Sequence, residues 1–134
     1  MNQKDIRWRQ RFENFKRAHA LLAKYIGIEN PSEIERAGII QFFEMAFELA
    51  WKLMKDYLEA QGFQPQSPRE TIKQAFQAGI IVDGHAWIDA LDDRNLTVHT
   101  YDESTSIEIE QRIKTIYFQA LQKFYQFMKR EAEK

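Results

Sequence analysis

The stretch Ile39-Ile40-Gln41-Phe42-Phe43-Glu44-Met45-Ala46-Phe47-Glu48-Leu49-Ala50-Trp51-Lys52-Leu53-Met54-Lys55-Asp56-Tyr57 decides the fold. Ile39, Phe43, Ala46, Ala50, Leu53 and Tyr57 recur at alternating steps of four and three, which places them on one helical face. Phe42, Leu49 and Met54 widen that stripe. A helix apolar over so much of its circumference sits at the centre of a bundle. Pro31-Ser32 supplies its start and Gly62 its end.

Upstream, Trp8, Phe12, Phe15, His19, Leu22 and Ile26 repeat the alternation and predict a helix over about 3–25, with Gly27 as its stop. Downstream, Ser67-Pro68-Arg69-Glu70 opens a short third helix. Ser67 caps it, Pro68 takes the first helical position and Glu70 closes a capping box. Gly79 ends it, and Asp83 caps a fourth piece through Trp87, Ile88 and Leu91. From Asp92 to Tyr101 the helix signal fades, because Asp, Asn, Thr and Val are weak helix formers. Thr100-Tyr101-Asp102-Glu103 reads as another capping box, with Asp102 and Ser104 as rival caps, for a last helix to about Arg130. Its inward residues are Ile109, Ile113, Tyr117, Ala120, Phe124 and Phe127, and residues 130–134 are expected to fray. Ile39-Ile40 and Ile80-Ile81-Val82 are β-like but too short for strands. The expected fold is all-α: an antiparallel four-helix bundle with an additional short helix, in one domain over residues 1–134.

Composition agrees. The 134 residues are 44% apolar and 13% aromatic, with five Gly and three Pro, which disfavours disorder and turn-rich β folds. The absence of Cys excludes disulfides, thiolate metal sites and a Cys nucleophile. With no apolar leader and no run near the roughly 20 apolar residues of a membrane span, a cytoplasmic protein with no membrane association is expected. The net charge of −1 argues against a general nucleic-acid coat. Lys4, Arg7, Arg9, Arg11, Lys16, Arg17 and Lys24 nevertheless crowd the first helix, either as a solvated face or as a local positive stripe.

The three histidines, His19, His85 and His99, form no metal-binding pair at helical spacing. His19 lies on an apolar stripe and reads as a buried helix-interface histidine; His85 reads as exposed. Gly-rich phosphate loops and serine-nucleophile motifs are absent. Glu44, Glu48 and Lys52 share a face of the long helix. Glu48–Lys52 reads as a structural pair, and the two glutamates alternatively as a strip for docking a protein or cation.

Chemistry concentrates in Leu91-Asp92-Asp93-Arg94-Asn95-Leu96-Thr97-Val98-His99-Thr100-Tyr101. Metal-free RNA cleavage needs groups of these kinds. Imidazole can take the ribose 2′-OH proton near neutral pH. Guanidinium can fork onto the phosphate and stabilise its growing charge. The spacing by itself is common, with roughly 0.6 matches expected by chance in such a chain. An arginine paired to Asp92 or Asp93 beside a capping histidine would look the same. On an unbroken helix, positions 94 and 99 lie about 140° apart. Either the helix breaks between them, as composition suggests, or a second subunit completes the site.

Three blocks also carry a family resemblance: Gln41-Phe42-Phe43-Glu44-Met45-Ala46-Phe47-Glu48-Leu49-Ala50-Trp51-Lys52, Ser67-Pro68-Arg69-Glu70-Thr71-Ile72-Lys73, and Asp92-Asp93-Arg94-Asn95 through His99-Thr100-Tyr101. In this order, across about residues 10–128, they resemble the nucleotidyltransferase substrate-binding family, a branch of the HEPN superfamily. The resemblance implies a dimerising helical bundle whose partner is a minimal nucleotidyltransferase (MNT) that binds ATP and Mg²⁺; the chain itself needs no cofactor or metal. It implies a toxin–antitoxin pair in which Arg94 and His99 form a ribonuclease site, RNA is the substrate, and adenylylation of Tyr101 silences the toxin. Asn95 and Asp93 would support the site. The alternative the resemblance allows is a non-catalytic subunit that presents substrate to the transferase. A plain interaction bundle is the third reading.

Overall fold

The computed structural model describes residues 1–99 and 102–134, the side chains of 97–99 excepted. Asn2 caps the first helix by accepting from Asp5 N at 2.9 Å. Ser32 opens the central helix with a complete capping box. Its Oγ accepts from Glu35 N (3.2 Å), and Glu35 accepts from Ser32 N (2.8 Å). The elements are α1 (Gln3–Tyr25), α2 (Glu33–Ala60), α3 (Pro68–Gln77), α4 (Gly84–His99), α5 (Glu103–Arg112) and α6 (Phe118–Ala132). A π-helical turn at Ile113–Tyr117 joins α5 and α6 into one rod. The rods α1, α2, α4 and α5–α6 form an antiparallel four-helix bundle, with short α3 packed on α2 and α4. No strand occurs among the described residues; Ile80 and Ile81 are buried in the turn between α3 and α4.

The core follows the apolar stripes. Phe15, Phe43, Phe47, Leu53, Met54, Trp87, Ile113, Tyr117 and Phe124 are essentially buried. Aromatic rings run through it in a chain: Tyr117 to Phe43 (5.5 Å between centroids), Phe43 to Phe47 (5.8 Å), Phe47 to Trp87 (5.7 Å), Trp87 to Phe124 (5.5 Å), Phe124 to Phe15 (5.5 Å). Each pair adds about 0.5–1.5 kcal/mol beyond area burial. The chain touches every rod.

α1 ends at Tyr25 as expected, Ile26 caps it through a bond to Leu22 O, and Gly27 follows the cap. Two expectations change. Glu70 does not return the capping bond to Ser67; its carboxylate accepts from Gln66 N (3.3 Å) while Ser67 Oγ accepts from Glu70 N. The C-terminus does not fray at residue 130. Arg9 donates to Ala132 O (2.8 Å) and Tyr57 to Glu131 (2.5 Å), so two tertiary bonds hold the last turn of α6.

Glu110 is 2% exposed; Arg36 ties it to the start of α2 and Lys114, one turn on in its own rod, also meets it, both at 2.8 Å. Burial pushes its carboxyl pKa up, but the hydrogen bonds from Lys114 and Arg36 outweigh that and hold it below the ordinary carboxylate value.

His19 is buried, as its place on the stripe implies, and His85 is exposed. His19 Nε2 donates to Gln122 Oε1 (2.6 Å), and the ring stacks on Phe118 (5.3 Å) and Tyr125 (5.1 Å). Burial lowers its pKa below the ordinary 6.5, partly opposed by the Gln122 bond. As pH falls through 6.5 the unfolded chain therefore takes up a proton that the folded chain resists, and stability falls until the folded imidazole also titrates. In His19→Phe this acid-side loss should be smaller than in wild type. Thermal unfolding of both proteins from about pH 7.5 to about pH 5.5, which spans the ordinary histidine value, measures the difference. Parallel curves would refute it.

Candidate functional site

Residues 92–94 are three consecutive charges, and each is tied to a different helix. Asp92 accepts from Arg69 of α3 (2.9 Å). Asp93, 8% exposed, lies against the π-turned rod. Arg112 Nη1 reaches both of its carboxylate oxygens (2.8 and 2.9 Å), and the Tyr117 hydroxyl donates to Oδ2. Arg94 donates to Glu48 of α2 (2.5 Å) and to the Oδ1 of Asn95 (3.1 Å). Consecutive residues on a helix point about 100° apart. Three in a row can thus reach three neighbours, which only a helix surrounded on several sides permits.

These ties explain why the expected helix break is absent. α4 continues through Asp92, Asp93, Asn95 and Thr97 to His99. Ion pairs with α2, α3 and the last rod override weak local propensity. On this unbroken helix, positions 94 and 99 are about 140° apart around the axis. His99 is the last residue of α4; its side chain, and Tyr101 altogether, lie outside the described residues. Asp102 then caps α5 by accepting from Thr105 N (3.2 Å), so the cap is the rival Asp102 rather than Ser104 or the box expected from Thr100, a residue outside the described ones.

The structure also corrects the expected partners. Arg94 pairs with Glu48, not with Asp92 or Asp93. Glu48 gathers donors, since Lys52 (3.3 Å) and Trp51 Nε1 (3.1 Å) reach it as well. Pairing Glu48 with Lys52 was legible from the four-residue spacing; its role as the anchor of Arg94 was not. Burial first, and the Asp93 bond second, push the Tyr117 phenol pKa up, so it remains a protonated donor. The hydrogen bond to Asp93 raises the pKa of Arg112 too. Sequence reading passed over Arg112 and over this use of Tyr117. Their signal was the spacing Ile109, Ile113, Tyr117, Leu121, with three steps of four in succession, which a regular α-helix cannot keep on one face.

Among the described residues no three His, Asp or Glu side chains converge to hold a metal ion. Nor is any helix among them long and apolar enough to cross a membrane. A groove of about 550 Å³ lies between the α3–α4 turn and the last rod, lined in part by Ile80, Trp87, Lys123, Phe124 and Arg130; none of its lining residues falls within 92–99. Several cations of α1 are engaged, Arg9 with Ala132 O and Arg11 with Asp56 (2.9 Å), which thins the positive stripe.

The fold is that of a known group. The family profile described as "Nucleotidyltransferase substrate binding protein like" matches residues 10–130, and this chain belongs to that family. It is similar to the curated Haemophilus influenzae protein named "Probable ribonuclease HepT", 32% identical over 82 residues. That match spans 58% of this chain and 56% of the relative, little more than half of its length. A crystal structure from Thermus thermophilus is 34% identical with a TM-score of 0.77, covering 87% of this chain and 97% of that one. The structure of a tri-AMPylated Shewanella oneidensis HEPN toxin in complex with an MNT antitoxin is 18% identical. It superposes with a TM-score of 0.75 over 97% of this chain and 99% of that one. At that identity the likeness concerns the fold alone, an all-α bundle.

Arg94 and Glu48 are each about 30% exposed, so their pair should be modest. A double-mutant cycle of Arg94→Ala and Glu48→Ala in urea should give a coupling near about 1 kcal/mol or less. A coupling of several kcal/mol would mean a desolvated pair and contradict this placement.

Proposed function

We propose that this chain is a HEPN-type subunit that pairs with a minimal nucleotidyltransferase and acts as a metal-independent endoribonuclease toxin. Arg94 and His99 carry the chemistry, Asn95 and Asp93 support Arg94, and adenylylation of Tyr101 by the partner silences the site. The observation that carries the reading is Arg94. A half-buried guanidinium is held by Glu48 and Asn95 five residues before His99 on one unbroken helix, in the fold of an AMPylated HEPN toxin.

In this reading the neutral His99 imidazole takes the proton of a ribose 2′-OH. The 2′ oxygen attacks phosphorus, the 5′ oxygen leaves, and the imidazolium returns the proton to it. Arg94 stabilises the charge that builds on the phosphoryl oxygens. Because positions 94 and 99 diverge on α4, the reacting pair comes from two copies meeting at this end of the bundle, and the working form is a homodimer. RNA is the substrate. ATP and Mg²⁺ belong to the nucleotidyltransferase. An AMP group on Tyr101 would put bulk and negative charge two residues from His99 and repel the RNA backbone.

A second reading has its own support. The family is described by substrate binding, and the pI of about 6.3 is low for a nuclease. Here the chain presents a substrate to the transferase and cuts nothing.

Chain purified free of its partner should cleave RNA in EDTA. His99→Ala and Arg94→Ala should each lose about 100-fold or more, the usual range for removing an acid–base or charge-stabilising group. Cleavage that survives His99→Ala rejects the site. Partner binding without any nuclease activity selects the second reading. Incubation with partner, ATP and Mg²⁺ should place AMP on the Tyr101 peptide by mass spectrometry; AMP on another peptide rejects the silencing mechanism.

A further inference from the structure

The chemistry above does not use Arg112 or Tyr117, yet together they make a three-bond polar contact with the α4 end. A buried carboxylate such as Asp93 is costly, and a well-packed apolar side chain would give comparable stability at this seam. The π-turn adds to that cost. In a regular helix a step of four residues drifts about 40°, so three such steps would carry Tyr117 and Leu121 away from the face of Ile109 by up to about 120°. The wide turn at Ile113–Tyr117 absorbs the drift. It keeps Ile109, Ile113, Tyr117 and Leu121 all buried, stacks the Tyr117 ring on Phe43, and brings its hydroxyl to Asp93.

We propose that Arg112 and Tyr117, acting through Asp93, are positioning residues that set the rotation of the α4 end and so aim Arg94 at the scissile phosphate; this rests on the ribonuclease reading above. Asp93 immediately precedes Arg94, so whatever fixes the one fixes the azimuth of the other. A rotation of α4 by about 20° would move a group at its roughly 5–6 Å outer radius by about 2 Å. Misplacement by about 1 Å can cost about 100-fold in rate. The α4 end has little stiffness of its own, since Asp92, Asp93, Asn95 and Thr97 are weak helix formers. Glu48 and Asn95 hold the Arg94 side chain, but Glu48 is itself partly exposed and shared with Lys52. The Arg112–Asp93–Tyr117 contact grips α4 from the buried side.

Tyr117→Phe tests this with the ring stack intact, and Asp93→Asn and Arg112→Gln extend it. Single-turnover and steady-state RNA cleavage are measured in EDTA beside wild type and His99→Ala, together with amide hydrogen exchange across residues 93–99. The expected result is a loss of about 10- to 100-fold in kcat with KM within about twofold, and faster exchange confined to the α4 end. Wild-type kcat in all three variants, or a change in KM alone, overturns the proposal. So does lowered thermal stability with unchanged kcat per folded molecule, which marks a purely structural contact. If Asp93→Asn does not fold, Tyr117→Phe decides. If wild type itself cuts no RNA in a manner sensitive to His99→Ala, the ribonuclease reading fails. The exchange measurement then still decides the grip on α4: unchanged exchange in Tyr117→Phe overturns it, and accelerated exchange upholds it.

Discussion

Three adjacent charges, Asp92, Asp93 and Arg94, each bonded to a different helix, hold the α4 end of the bundle together. Apolar stripes decide that four rods pack, but apolar contact is non-directional and leaves a helix free to turn about its axis by small amounts. Directional bonds remove that freedom. Arg69 reaches α4 from α3, Glu48 from α2, and Arg112 with Tyr117 from the far rod. The same bonds keep a poorly helical sequence helical as far as His99. Position, orientation and secondary structure of this segment therefore share one cause.

Much of the fold was legible because its signals are local and periodic. The alternation in α1 and α2, Ser32, Ser67 and Asp83 as caps, and Gly62 and Gly79 as stops with φ of +97° and +78° all read directly from neighbouring residues. What failed depends on contacts between residues far apart in the chain. The helix through Asp92–His99, the ordered turn at Glu131–Ala132 and the π-turn are fixed by partners on other elements. Composition at those positions points the other way. The site divides along the same line. Arg94 and His99 could be named as candidates from residue type and the family resemblance, since their spacing alone is common. Glu48, Arg112 and Tyr117 could not, because their importance arises from where the folded chain puts them.

The charge pattern is economical for a chain of net charge −1. Arg94, Arg112, Arg69, Arg36 and Arg11 each meet a carboxylate. On the proposed ribonuclease reading, a phosphate approaching Arg94 would compete with Glu48 for the same guanidinium, tempering non-specific attraction to nucleic acid. Selectivity would then come from geometry at the α4 end rather than from a broad positive surface.

The distance in sequence between Asp93 and its two partners bears on how the protein is made. Arg112 follows it by 19 residues and Tyr117 by 24. On a growing polypeptide the first three helices are synthesised while those partners do not yet exist. The α4 end acquires its buried grip only after the last rod has emerged and docked. A chain paused before that point lacks the Arg112–Asp93–Tyr117 contact, although Glu48 and Asn95 are already present to meet Arg94. Completion of the contact that grips α4 thus waits for the last rod, the final part of the fold to be made.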